Sequence, residues 1–177
     1  RYAFEEWERE AWGHKAATGK HVVLRVYADY PKKPSAMPEW LLQKGVSLKA
    51  YKSHGGGLSP DYDHPAMVTA LERLVIAMGK RYDKHPRVAF IQLGLLGFWG
   101  EWHTYPRDEL FASEKTQRRI LEAYRKAFPH KQLMARYADG LPGEYPAMGF
   151  HDDMFPEDTD NGKDWSFLER LRRAKRI

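Results

Sequence analysis

The stretch Val88-Ala-Phe-Ile-Gln-Leu-Gly-Leu95, continuing as Leu96-Gly-Phe-Trp-Gly-Glu-Trp-His103, decides how the rest of the chain is read. Its first part is an almost unbroken apolar run, bounded by Pro86 on one side and by glycines on the other. So short a run suits a strand covered on both faces better than a helix. Strands of that kind belong to parallel sheets, whose crossover helices lie on the faces. The second part carries Gly94, Gly97 and Gly100 in the spacing G-x-x-G-x-x-G. This is not the dinucleotide fingerprint, and aromatic residues occupy the turn where a phosphate would sit.

Outward from this stretch, helices and strands alternate. Residues 66–82 place Met67, Leu71, Leu74, Val75 and Met78 on one face and predict a helix. Residues 114–127 do the same with Ile120, Leu121, Tyr124 and Ala127. Phe4, Trp7, Ala11 and Trp12 give residues 2–18 a helical spacing that Gly19 stops. Strands are expected at 21–27, 132–137 and 148–151, with a weaker one at 46–51. A helical turn is expected at 38–42, a long loop from Gly55 to Asp63, and a last helix at 165–173. Phe90, Phe128 and Trp165 read as core. The alternation predicts parallel βαβ units and an α/β fold. Without the dinucleotide fingerprint, the favoured architecture is a (β/α)8 TIM-type barrel, of which this single domain carries about five or six strands.

The 177 residues can bury one sizeable core. Lys and Arg number 29 and Asp and Glu 24, a net charge of +5. The basic residues cluster only at Arg170, Arg172, Arg173, Lys175 and Arg176, which reads as the solvated face of a helix. No nucleic-acid motif accompanies them, and no apolar run reaches the length of a membrane span, so neither partner is expected. The absence of cysteine excludes disulfides and thiolate chemistry. The start at Arg1 and the helical pattern at the end read as a piece of a longer protein.

Polar residues recur where the expected strands end. Arg25, Tyr27 and Asp29 mark the first strand, and Glu101, Trp102 and His103 follow the long apolar one. Arg136 and Asp139 follow the next, and His151, Asp152 and Asp153 the last. In a (β/α) barrel all these ends meet on one face, where such enzymes do their chemistry. Glu101 lies between Trp99 and Trp102. Indoles beside a carboxyl desolvate it and disfavour its charged form, as a general acid requires. Indole faces also stack on sugar C–H surfaces. The alternative is a structural ion pair of Glu101 with Arg25 or Arg136. Both arginines sit in apolar surroundings and need a partner: a catalytic carboxylate, an anionic substrate or a strand-end salt bridge. His151-Asp152-Asp153 supports a second catalytic carboxylate, a divalent metal held with His103 and Glu101, or a capped turn. No H-x-H or H-E-x-x-H spacing is present, so no metal is assigned. Asp158–Asp160-Asn161-Gly162 is no complete calcium loop. Tyr30, Trp40, Tyr62 and Tyr105 are loop or turn aromatics on the expected active face.

The segment Gly94–His103, ending in Gly-Glu-Trp-His, resembles the acid/base strand of clan A glycoside hydrolases, the β-galactosidase-like barrels in particular. In that clan the acid/base glutamate follows the fourth strand, and an arginine on an early strand supports the nucleophile, a place that Arg25 matches. Taken with Arg81-Tyr82-Asp83, Pro86-Arg87 and His151-Asp152-Asp153, most of the chain is similar to an uncharacterised bacterial domain family of this type. Two positions depart from the clan pattern. Gly100 stands where the clan has asparagine, and the second glutamate, which follows the seventh strand, has no counterpart. The resemblance implies hydrolysis of a glycosidic bond in a poly- or oligosaccharide without a cofactor. Glu101 would be the acid/base, and Asp152, Asp153 or a glutamate outside this chain the nucleophile or base. Trp99 and Trp102 would shape the sugar subsite, with Arg25, Tyr27, His103, Arg136, Asp139 and His151 binding substrate. A polymeric substrate points to a secreted or periplasmic setting. The rivals are a carbohydrate-binding barrel without catalysis and a metal-dependent hydrolase using His103, His151 and Asp152.

Overall fold

The computed structural model describes residues 2–13 and 18–177. In chain order the elements are α1 (Tyr2–Ala11), β1 (Val22–Leu24), α2 (Glu39–Leu42), β2 (Leu48–Tyr51), β3 (Gly57–Pro60) and α3 (Pro65–Tyr82). There follow β4 (Val88–Gln92), α4 (Glu114–Ala127), β5 (Gln132–Ala135), β6 (Gly149–Phe150) and α5 (Phe167–Arg173). The apolar run is β4, and it lies inside a parallel four-stranded sheet of order β1-β4-β5-β6. The expected α/β class and parallel pairing are therefore present. The strands follow one another across the sheet in chain order, with none of the reversal that marks a doubly wound sheet.

The two long helices form where apolar periodicity and end signals agree. His64 caps α3, its ring accepting from Ala66 N at 3.2 Å, and Pro65 opens the first turn. Ser113 caps α4 and also donates from Oγ to Asp63 at 2.7 Å, which ties the two helix starts together. Met67, Leu71, Val75 and Met78 of α3 meet Ile120, Leu121 and Tyr124 of α4 in one core with Leu24, Ile91 and Leu133. Leu24, Ile91 and Leu133 are in register across three strands, so the row facing the helices is continuous. Phe4, Trp7 and Trp12 at the amino-terminal end pack around Tyr82, and Arg81 holds Glu8 through two hydrogen bonds of 2.5 and 2.7 Å. The part of the expected first helix at residues 14–17 lies outside the described residues.

Several expectations need correction. The neighbouring row Val23–Phe90–Gln132 is open, with Val23 51% and Phe90 40% exposed, so β4 is not covered on both faces. An apolar run records which residues tolerate burial, not what the chain lays over each face. Phe90 is thus not core, nor is Trp165 at 49% exposure, whereas Phe128 is buried. β1 is shorter than 21–27 because beyond Leu24 the chain meets a loop. There Leu95 N donates to Val26 O at 2.7 Å, and Asp29 bridges Phe98. The segment 57–60, expected within a long loop, pairs antiparallel with β2 as a hairpin. Gly57-Leu-Ser-Pro60 is too short and mixed to announce a strand without its partner. Among the described residues no helix is long and apolar enough to cross a membrane.

Candidate active site

Glu101 is placed by a tightly wound loop between β4 and α4. The loop folds back on the chain beyond β1 through Leu95 N to Val26 O and Trp99 N to Asp29 O at 3.0 Å. It closes on itself through Phe98 N to His103 O at 2.8 Å and Trp102 N to Leu96 O at 3.1 Å. Gly97 has φ of +77°, and a Cβ there would lie 2.3 Å from His103 O, so only glycine fits this turn. Leu95, Trp99 and Trp102 also carry positive φ, at 71°, 54° and 61°. Such conformations are unfavourable for bulky residues and persist where surrounding contacts impose them. The hairpin helps to impose them. Buried Tyr51 donates to Asp29 at 2.6 Å, and the hydroxyl of buried Tyr62 reaches Gly97 O at 3.4 Å.

This winding brings Glu101 to the end of the sheet beside Arg25. Arg25 Nη2 lies 3.7 Å from Glu101 Oε1, and its Nη1 donates to Asp153 Oδ2. His103 Nε2 stands 3.4 Å from Glu101 Oε2, and His151 Nδ1 is 2.8 Å from Asp153 Oδ1. Residues from the ends of β1, β4 and β6 thus form one chain of contacts: His103, Glu101, Arg25, Asp153, His151. A cleft of about 550 Å³ opens over it, lined by Arg25, Glu101, Arg136, Asp153 and Asp158, with Tyr27, Tyr30, Trp99, Tyr137 and Met154 as its apolar and aromatic walls. A neighbouring hollow of about 880 Å³ shares Tyr137 and Asp158 with it and adds Trp102, His103, Tyr105, Trp165 and Arg170.

The carboxylates differ in state. Burial opposes the charge of Asp153, but hydrogen bonds from His151 and Arg25 outweigh it and hold this carboxyl well below the usual carboxylate range. Asp158 goes the other way. Burial raises it and the nearby Asp152 carboxylate adds to this, with Arg136 offsetting part of the effect. Glu101 is 16% exposed, with Arg25 at 3.7 Å from one carboxyl oxygen and His103 at 3.4 Å from the other.

The remaining expected site residues separate into groups. Arg136 reaches the cleft from the end of β5 and binds Asp158 at 2.6 Å. Tyr27 and Trp99 line it as well. Trp102 is buried and its indole N–H donates to Gly94 O at 3.1 Å, so its polar handle is spent inside the loop. Asp152 serves the turn, accepting from Met154 N at 3.0 Å and from the Thr159 hydroxyl, which is the capping arrangement. Burial raises the Asp152 carboxyl, but these hydrogen bonds win and leave it lowered. Asp139 anchors α5, held by Arg170 at 3.0 Å and Arg173 at 2.8 Å. Tyr62 is core, and Trp40, half exposed on α2, lines neither hollow. Asp158 escaped the sequence reading, since its loop has no periodicity and its only signal was an acidic cluster. His103, His151 and Asp152 point to separate partners, and among the described residues no three His, Asp or Glu side chains converge as a metal ion would need. Compared with known proteins, the chain matches no family model, no curated protein and no solved structure.

Proposed function

We propose that the chain is a barrel-type domain whose strand-end cleft hydrolyses a glycosidic bond in an oligo- or polysaccharide, with Glu101 as general acid/base. The observation that carries this reading is Arg25. One guanidinium joins Glu101 from the β4 loop to Asp153 beyond β6, so two carboxylates face a single cleft. Asp153 is ionised at neutral pH, as a nucleophile or base must be. Glu101 gives its proton to the leaving glycosidic oxygen as the C–O bond breaks. Asp153 then either attacks the anomeric carbon or takes a proton from the water that does. Carboxyls about 5–5.5 Å apart favour the first course and about 6.5–9.5 Å the second. Tyr27, Tyr30 and Trp99 supply aromatic surface for sugar C–H faces. The unreversed strand order supports the barrel, in which each strand is added beside the last.

A second reading, sugar binding without cleavage, is favoured by the engagement of both Asp153 oxygens, one by His151 and one by Arg25. Glu101→Gln separates the two. With a panel of polysaccharides and a reducing-end assay, the wild type releases new ends, and the variant is slower by about 10²–10⁴-fold with binding retained. A variant that cleaves at the wild-type rate removes Glu101 from the mechanism. A wild type that binds but releases nothing leaves the binding reading.

A further inference from the structure

Arg136 is 4% exposed, and its Nε and Nη1 have no hydrogen-bond partner. Its Nη2 donates to Asp158 Oδ2 at 2.6 Å and lies 3.7 Å from Asp152 Oδ1. The Tyr137 and Phe167 rings lie 5.1 and 5.8 Å from the guanidinium carbon. Asp158 Oδ1 and His151 Nε2 are likewise buried and unpartnered. Of these groups, Arg136 and Asp158 are in direct contact. Arg136 and Asp158 line the cleft beside Glu101, and Met154, half exposed, flanks the approach to them. Native proteins rarely leave buried polar groups unsatisfied, and such clustering at a cleft points to a ligand that completes them.

The mixture of donors and acceptor selects the ligand. A carboxylate could take the arginine N–H groups, but it would add negative charge to a cleft already lined by Glu101, Asp153 and Asp158, with Asp152 3.7 Å from Arg136. A hydroxyl both donates and accepts, so adjacent hydroxyls satisfy Arg136 and Asp158 together without adding charge. We propose that Arg136 and Asp158 form a subsite for adjacent hydroxyls of a neutral sugar ring, Arg136 donating through Nε or Nη1 and Asp158 Oδ1 accepting. The proposal rests on the carbohydrate reading above and deepens it: the ring next to Glu101 is neutral, not a uronic acid.

Calorimetric titration with xylohexaose, cellohexaose, mannohexaose and hexagalacturonate tests this. The wild type is expected to bind at least one neutral hexasaccharide and hexagalacturonate more weakly. Asp158→Asn, which keeps the shape of the side chain, and Arg136→Lys should each weaken that binding by about tenfold or more. Circular dichroism identifies the variants that remain folded, and Asp158→Asn carries the test if Arg136→Lys does not fold. Unchanged affinity in folded Asp158→Asn overturns the subsite. Preference for hexagalacturonate overturns the neutral assignment but leaves a carbohydrate function standing. Binding of none of the four overturns both.

Discussion

Asp153 and Asp158 follow the same strand, yet their surroundings push them in opposite directions. The sign of each effect on stability follows from linkage. Asp153 titrates lower when folded, so the stability it contributes is present above the ordinary carboxylate range and is lost as pH falls toward its folded value. Asp158 titrates higher when folded, so it subtracts stability as pH rises from the ordinary range through its folded value. Denaturant unfolding between about pH 3 and 6 should therefore show a shallower acid-side loss in Asp153→Asn, and less decline with rising pH in Asp158→Asn. A wild-type slope in both variants would refute these assignments. Gly97 is a second residue-scale test. Gly97→Ala must strain a backbone at φ +77° and press a methyl onto His103 O, so binding and cleavage should fall together with Glu101 itself intact. Unaltered activity in that variant would show that the loop can hold Glu101 another way. Glu101, Arg25 and Arg136 were legible because charge at the end of an apolar run is conspicuous. Trp102, expected beside Glu101, has a positive φ and turns its indole N–H onto Gly94 O, a direction that adjacency in sequence does not encode.

Among the elements, α3 and α4 were legible nearly to their ends, since amphipathic periodicity and caps are local properties. The β2–β3 hairpin was half legible. Lys49 and Ala50 pair with Ser59 and Leu58, and that register depends on both strands at once. The helix crossing yields a prediction in which two known effects compete. Gly79 sits in α3 where a Cβ would fall 2.4 Å from Ala127 O of α4. Alanine gains about 1 kcal/mol of helix propensity over glycine, whereas overpacking costs about 1–3 kcal/mol. The contact is with backbone, which yields less readily than a flexible side chain, so the clash should win. Gly79→Ala is expected to lower Tm by roughly 2–4 °C for each kcal/mol lost. A raised Tm would mean that the helices move apart freely.

At the scale of the whole molecule, the sheet has one helix-covered face and one open row. Ile91→Ala removes side-chain volume beneath α3 and α4 and should cost about 2–5 kcal/mol in denaturant unfolding. Phe90→Thr, on the open row, should cost about 1 kcal/mol or less. Equal losses would show that something covers Phe90 in solution. The sequence by itself determined the helices, the parallel βαβ order and the polar residues at the strand ends, because periodicity and punctuation act over a few neighbouring residues. Tertiary structure decided the rest: that Arg25 joins Glu101 to Asp153, that Asp152 caps a turn while Asp158 enters the cleft, and that one side of β4 stays bare. Each of these depends on segments far apart in the chain meeting at hydrogen-bond distance, and no local pattern of residue types encodes which of several possible partners is met.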